Sequence, residues 1–134
     1  LQGAVLYEAN LTDANMRRAF IARSDLRRAI LYNCDLHAAN LSESDLHQAD
    51  LRKARLARAS LHACLLQDAD LREASLLSAD LRGAHLGGAN LLGVELTRAQ
   101  FDESTILPNN KRWTPDVDMA RFTNAQHRYF WQPG

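Results

Sequence analysis

The side chains best suited to metal or acid–base chemistry are five histidines, His37, His47, His62, His85 and His127, two cysteines, Cys34 and Cys64, and 16 acidic residues. Their spacing assembles no reaction centre. No histidine stands at metal-ligand spacing from another histidine, a cysteine or a carboxylate. No nucleophile is accompanied by a base, and GxSxG, P-loop and GxGxxG patterns are missing. The expectation is a protein that is not an enzyme, with no catalytic residue, no metal and no cofactor. Lys+Arg and Asp+Glu balance at 16 each over 134 residues. That leaves no basic excess to hold a nucleic-acid backbone and no acidic excess to imitate one. No run approaches the roughly 18 apolar residues of a membrane span, and no signal segment opens the chain. A cytoplasmic chain that engages neither nucleic acid nor membrane is expected.

What the spacing does assemble is a repeat. Every fifth residue from Leu1 to Ile106 is apolar, 22 positions in all, and the residue two places earlier is Ala at 15 of 21 positions. Between them Asp or Asn recurs, at Asn10, Asn15, Asp25, Asp35, Asn40, Asp45, Asp50, Asp70, Asp80 and Asn90. The unit is A(D/N)LXX. Ala and Leu favour helices, but a five-residue step turns about 140° around a helix, so the leucines would spiral over every side of it. Divided as two plus three, the step instead points the small residue and the leucine inward from a short extended segment. The residue between them points out, and the last two turn a corner.

A run of A(D/N)LXX units this long resembles the pentapeptide-repeat family. The resemblance implies an all-β fold, a right-handed quadrilateral β-helix with four units to a coil. The solenoid of about five coils is expected over residues 1–106, and a capping segment with a short α-helix near 115–123 is expected in 107–134. Cys34 and Cys64 fall in inward slots one and a half coils apart, so two buried free thiols are expected.

Stacking residues 20 apart sorts the ionisable side chains of the repeat onto four faces. The face of Leu1 carries −2, that of Leu6 −2 and that of Leu11 −1. The fourth, behind Met16, sets Arg17, Arg18, Arg55, Arg58 and Arg98 against Asp35 and Glu95, giving +3. Two readings stand for it: a docking strip for an acidic protein, or a solvated side whose charges pair locally, as the stacked Asp35 and Arg55 suggest. Outward apolar residues crowd the first two coils, at Val5, Tyr7, Phe20, Ile30 and Tyr32. The chain begins in mid-repeat, without Met or a capping segment, so an upstream domain or a homodimer contact is expected to cover this end.

Past Ile106 the five-residue register stops, and Thr114, Pro115, Asp116 and Asp118 read as a helix start. Trp113, Phe122, Tyr129, Phe130 and Trp131 collect in this tail. They are expected to cover the last coil, whose core and strand edge need a lid; an aromatic recognition site is the other reading. For the whole chain the expected function is a non-catalytic protein-interaction scaffold, a repeat domain of a larger bacterial protein whose partner is unknown. The alternative taken from the family is a gyrase-interacting mimic of DNA. The zero net charge and the basic face speak against it.

Overall fold

The computed structural model describes residues 1–134. Its backbone pairs each outward Asp/Asn-type position with the one 20 residues on, always in parallel: Val5 with Asp25, Asn10 with Ile30, Asn15 with Asp35, Phe20 with Asn40, and so through Asp80 with Gln100. Bends at every fifth residue and pairing at every twentieth make a four-sided coil laid on the coil before it. The strand content is these single bridges, separated by two-residue turns.

One unit shows why five residues suffice. In Ala49–Lys53 the Ala49 amide closes the preceding turn on the Leu46 carbonyl (3.0 Å). The Asp50 amide donates to Ala29 of the coil before (2.9 Å), while those of Leu51 and Lys53 donate to Asp70 (2.7 Å) and Arg72 (3.0 Å) of the coil after. The fifth amide, of Arg52, faces the side of the tower, and the Asp50 carboxylate accepts it at 3.1 Å. Every donor of the unit has a partner, as buried backbone requires. All ten Asp and Asn residues named above accept the amide two residues on in this way, from Thr12 on Asn10 to Leu92 on Asn90. The preference for Asp or Asn is thus a backbone-capping preference.

The last residue of each unit turns the corner at positive φ: 54–62° for residues such as Asn33, Lys53 and Glu73, and 70–75° where Gly3, Gly83, Gly88 and Gly93 occupy the slot. Side chains other than glycine pay on the order of 1 kcal/mol there. Inside, the leucines from Leu26 to Leu86 and the alanines from Ala29 to Ala89 are at most 1% exposed and form one core. Where the small slot is polar it is satisfied: the Ser24 and Ser44 hydroxyls donate to the Leu1 and Ile21 carbonyls (3.1 and 3.0 Å). Cys34 and Cys64 are buried and free, as the spacing requires. Burial pushes their thiols up, to about 11 and about 12.

Two elements differ from the sequence expectation. The register does not run unbroken to Ile106: His85 pairs with Ile106, an offset of 21 instead of 20. One extra residue enters after Phe101, so Thr105 and Leu107 take the inward slots at 0% and 1% exposure, and Ile106 is turned outward. Thr105 fits its slot because its hydroxyl donates to the Leu81 carbonyl (2.9 Å). The tail helix is also shorter than the expected 115–123: α1 is Ala120–Thr123 only. Thr114 spends its hydroxyl on Asp116 (2.5 Å) and its carbonyl on the Val117 amide (3.1 Å), closing a separate turn. Asp118 then accepts the Ala120 amide at 3.1 Å and starts the short helix.

The tail folds back on the repeat. Ile106 and Arg112 form an antiparallel bridge, the Trp113 amide donates to Thr105 (2.9 Å), and the Thr123 carbonyl takes the Gly93 amide (2.8 Å) that has no further coil to pair with. Phe122 is 2% exposed and belongs to the core, while Trp113, Val117, Met119 and Trp131 pack on it half-buried. Trp113 stacks on Phe101 and Trp131 meets Phe122 edge-on, each at 5.9 Å between ring centroids. Phe130 is half-buried, and Tyr129, expected to share the packing, stands 65% exposed.

Candidate interaction surface

The outward side chains fall into columns, and most charges in them are used within the tower. The recurring device is Asp–Leu–Arg. In Asp25–Arg27, Asp50–Arg52, Asp70–Arg72 and Asp80–Arg82 the guanidinium forks onto the carboxylate two residues back, through Nε at 2.8–2.9 Å and Nη2 at 2.6–2.8 Å. The same carboxylate caps the arginine's own amide, so one aspartate fixes both the turn and the side chain. These arginines hold the Asp25, Asp50 and Asp80 carboxyls below the usual carboxylate range, against the opposing effect of burial. Arg27 and Arg52 also lie over the Tyr7 and Tyr32 rings of the preceding coil, each 5.4 Å from the centroid.

Of the 12 cations in residues 1–106, nine meet a carboxylate within 4.0 Å: Arg17, Arg23, Arg27, Arg28, Arg52, Lys53, Arg55, Arg72 and Arg82. Arg18, Arg58 and Arg98 are the remaining three. All are exposed, all sit at the corner slot of the fourth face, and their φ values are 56°, 59° and 59°. They occupy alternate coils of one column, with Ala38 and Ser78 between them. At about 4.8 Å per coil, successive guanidinium bases are about 9.6 Å apart.

The five arginines of the expected basic face therefore divide. Arg17 and Arg55 converge on one Asp35 oxygen (3.3 and 3.6 Å). Burial alone would raise the Asp35 carboxyl, but the His37 amide and these two arginines outweigh it and hold it low. Arg17 and Arg55 are structural, and the open positive charge is Arg18, Arg58 and Arg98. The corner slot was the missed signal, and the glycines at 3, 83, 88 and 93 mark it.

At the apolar end Val5, Tyr7, Phe20 and Ile30 are 79, 45, 52 and 38% exposed. Tyr32, half-buried under Arg52, departs from that group. The four outward-slot residues without Asp or Asn nearest this end, Val5, Phe20, Ile30 and Arg55, leave the amide two residues on without a side-chain cap. No three His, Cys, Asp or Glu side chains converge as a metal site, and no helix is long and apolar enough to cross a membrane.

Comparison with known proteins places this geometry. A model of the pentapeptide repeat region matches residues 24–107, and one of eight pentapeptide repeats matches residues 1–28. The chain belongs to the pentapeptide-repeat family, whose members form right-handed β-helices. Among solved structures it is similar to the pentapeptide repeat protein Rfr23 of the cyanobacterium Cyanothece 51142, at 27% identity and TM-score 0.40, over 78% of this chain and 88% of that one. It is similar to HetL of Nostoc sp. strain PCC 7120, involved in heterocyst differentiation regulation, at 29% identity and TM-score 0.40, over 84% of this chain and 63% of that one. A third is QnrB1, a plasmid-mediated fluoroquinolone resistance protein, at 18% identity and TM-score 0.40, over 91% and 75%. No curated protein matches the chain.

Proposed function

We propose that this chain is a non-catalytic protein-interaction scaffold of a bacterial protein, a tower of about five coils whose fourth face docks an acidic protein. The observation that carries the reading is the single column of unpaired arginines, Arg18, Arg58 and Arg98, on a surface where every other repeat cation has an acidic neighbour. A paired charge must give up its partner before it binds another, whereas an exposed unpaired arginine gives up only water. The tail 107–134 acts in this reading as the lid of the last coil, with Phe122 as its plug. An acidic mimic of DNA lacks its surface here, because no face exceeds −2.

Affinity capture from native lysate tests it, run in parallel with wild type, Arg18→Glu/Arg58→Glu/Arg98→Glu, and Arg23→Glu/Arg28→Glu/Lys53→Glu as a charge-matched control on other faces. The reading predicts acidic proteins that are retained by wild type and the control and released from the column variant. Identical capture by all three overturns it.

A further inference from the structure

Resting on that docking reading, we infer that the element received by the fourth face is an acidic α-helix lying along the tower, with Asp or Glu at three successive positions seven residues apart. The inference comes from matching periods. Arg18, Arg58 and Arg98 are two coils apart, about 9.6 Å per step and about 19 Å in all at the usual ladder spacing. Seven residues of α-helix rise about 10.5 Å and return to within about 20° of the same side. Carboxylates at i, i+7 and i+14 therefore face the three guanidinium groups in turn, and the flexible arginine side chains absorb the remaining mismatch of about 1 Å per step, about 2 Å over the column. An extended strand presents same-side residues about every 6.6 Å, and neither that spacing nor its double meets the column.

The surroundings favour a body as wide as a helix. Between the arginines the corner carries only Ala38 and Ser78, so no long side chain blocks the approach. Beside it run His37, Ala57, Leu77 and Thr97, with Ala57 and Leu77 half-buried. The i+3 and i+4 side chains of the helix, which lie between its acids, come down on this strip. Glu95, on the same face and without an ion-pair partner within 4.0 Å, stands across the strip from the arginines; it disfavours a second acidic row and admits a basic or neutral flank on the incoming helix. Polyproline II is the other backbone with a matching period, about 9.3 Å for three residues. With three residues per turn its two intervening side chains point about 120° away from the corner, so none comes down on the Leu77 strip as the i+3 and i+4 side chains of a helix do.

The test is an NMR titration of the ¹⁵N-labelled full chain at low salt with four probes. The first is an 18-residue Ala/Gln helix with Glu at i, i+7 and i+14. The second has the same composition with Glu at i, i+5 and i+10, which places the acids on different sides. The third is a proline-rich peptide with Glu at every third residue, and the fourth is a 20-base-pair DNA duplex. The phased helix is expected to bind about fivefold more tightly than its out-of-phase isomer, two surface charge pairs' worth, with shifts confined to Arg18, Arg58, Arg98 and the Leu77 strip. Arg18→Asn/Arg58→Asn/Arg98→Asn, which suits the positive φ of the corner, should abolish that preference while leaving the rest of the spectrum in place. Equal binding of the two helices at the column overturns the helix and leaves the docking reading standing. Tighter binding of the proline-rich peptide or the duplex also overturns the helix. If no probe moves the column, both the inference and the reading beneath it fall.

Discussion

The Asp–Leu–Arg columns and the Arg18–Arg58–Arg98 column are built on the same backbone and differ in what their charges are for. In the first, Asp50 holds the Arg52 amide and guanidinium together, and Arg52 reaches on to Asp70 (3.8 Å). Sequence, turn and side chain are locked into one local structure. In the second, the arginine occupies the slot with positive φ, where a glycine or asparagine would be more comfortable, and meets no carboxylate. Charge in a repeat tower is informative where it is not consumed. A face sum of +3 is less telling than the pairing beneath it, which removes two of its five arginines.

That contrast can be probed by substitutions that touch one column at a time. The largest effect is the reference common to both: Leu56→Ala hollows the core, where Leu56 is 0% exposed, and should cost about 3 kcal/mol in chemical denaturation. Asp50→Ala should cost about 1 kcal/mol through the lost cap on the Arg52 amide, whereas Arg58→Ala should cost nothing measurable. Equal losses would erase the distinction between the columns.

Of the two columns, acid acts only on the first, whose carboxylates join Asp35 in being held low. Asp25, Asp50 and Asp80 have folded pKa values below their unfolded ones. Their contribution is thus present above about pH 4, the unfolded value, and is lost as pH falls through the folded values. The melting temperature should hold from neutrality to about pH 4 and then drop, with the same profile in the Arg18, Arg58 and Arg98 variants. A drop beginning near pH 6 would contradict this assignment. A substitution at the same corner has the opposite sign: Arg58→Gly relieves the positive φ and should be neutral to stabilising by up to about 0.5 kcal/mol, the relief being offset in part by a more flexible unfolded chain.

Most of the fold was legible because a five-residue period admits few structures. The inward columns follow from spacing, whereas four units to a coil, and with it the 20-residue stacking and the separation of the two thiols, is what the resemblance to the family implies. The slip after Phe101 was hidden because Ile106 and Leu107 are both apolar and Ser104 and Thr105 both small, so either register fits composition. Hydrogen bonding decides it, through Thr105 on Leu81 and Asp102, which takes the Gly83 amide (3.2 Å) together with the Ser104 amide (3.0 Å). The tail helix starts later than Thr114, Pro115, Asp116 and Asp118 suggest because Thr114 and Asp116 satisfy each other before a helix can begin. The basic face was legible as a sum, but which of its arginines remain open depends on side-chain reach. Arg17 crosses a coil to Asp35, and no spacing rule in the sequence states that.

The most direct test of the central claim is the exchange of arginine Nε–H protons with solvent, read with and without poly-glutamate. The account predicts slow exchange in both conditions for Arg27, Arg52, Arg72 and Arg82, whose Nε–H groups already donate to aspartate. Arg18, Arg58 and Arg98 should exchange fast alone and become protected when poly-glutamate is added. Protection gained equally on all seven arginines, or on none, would contradict it.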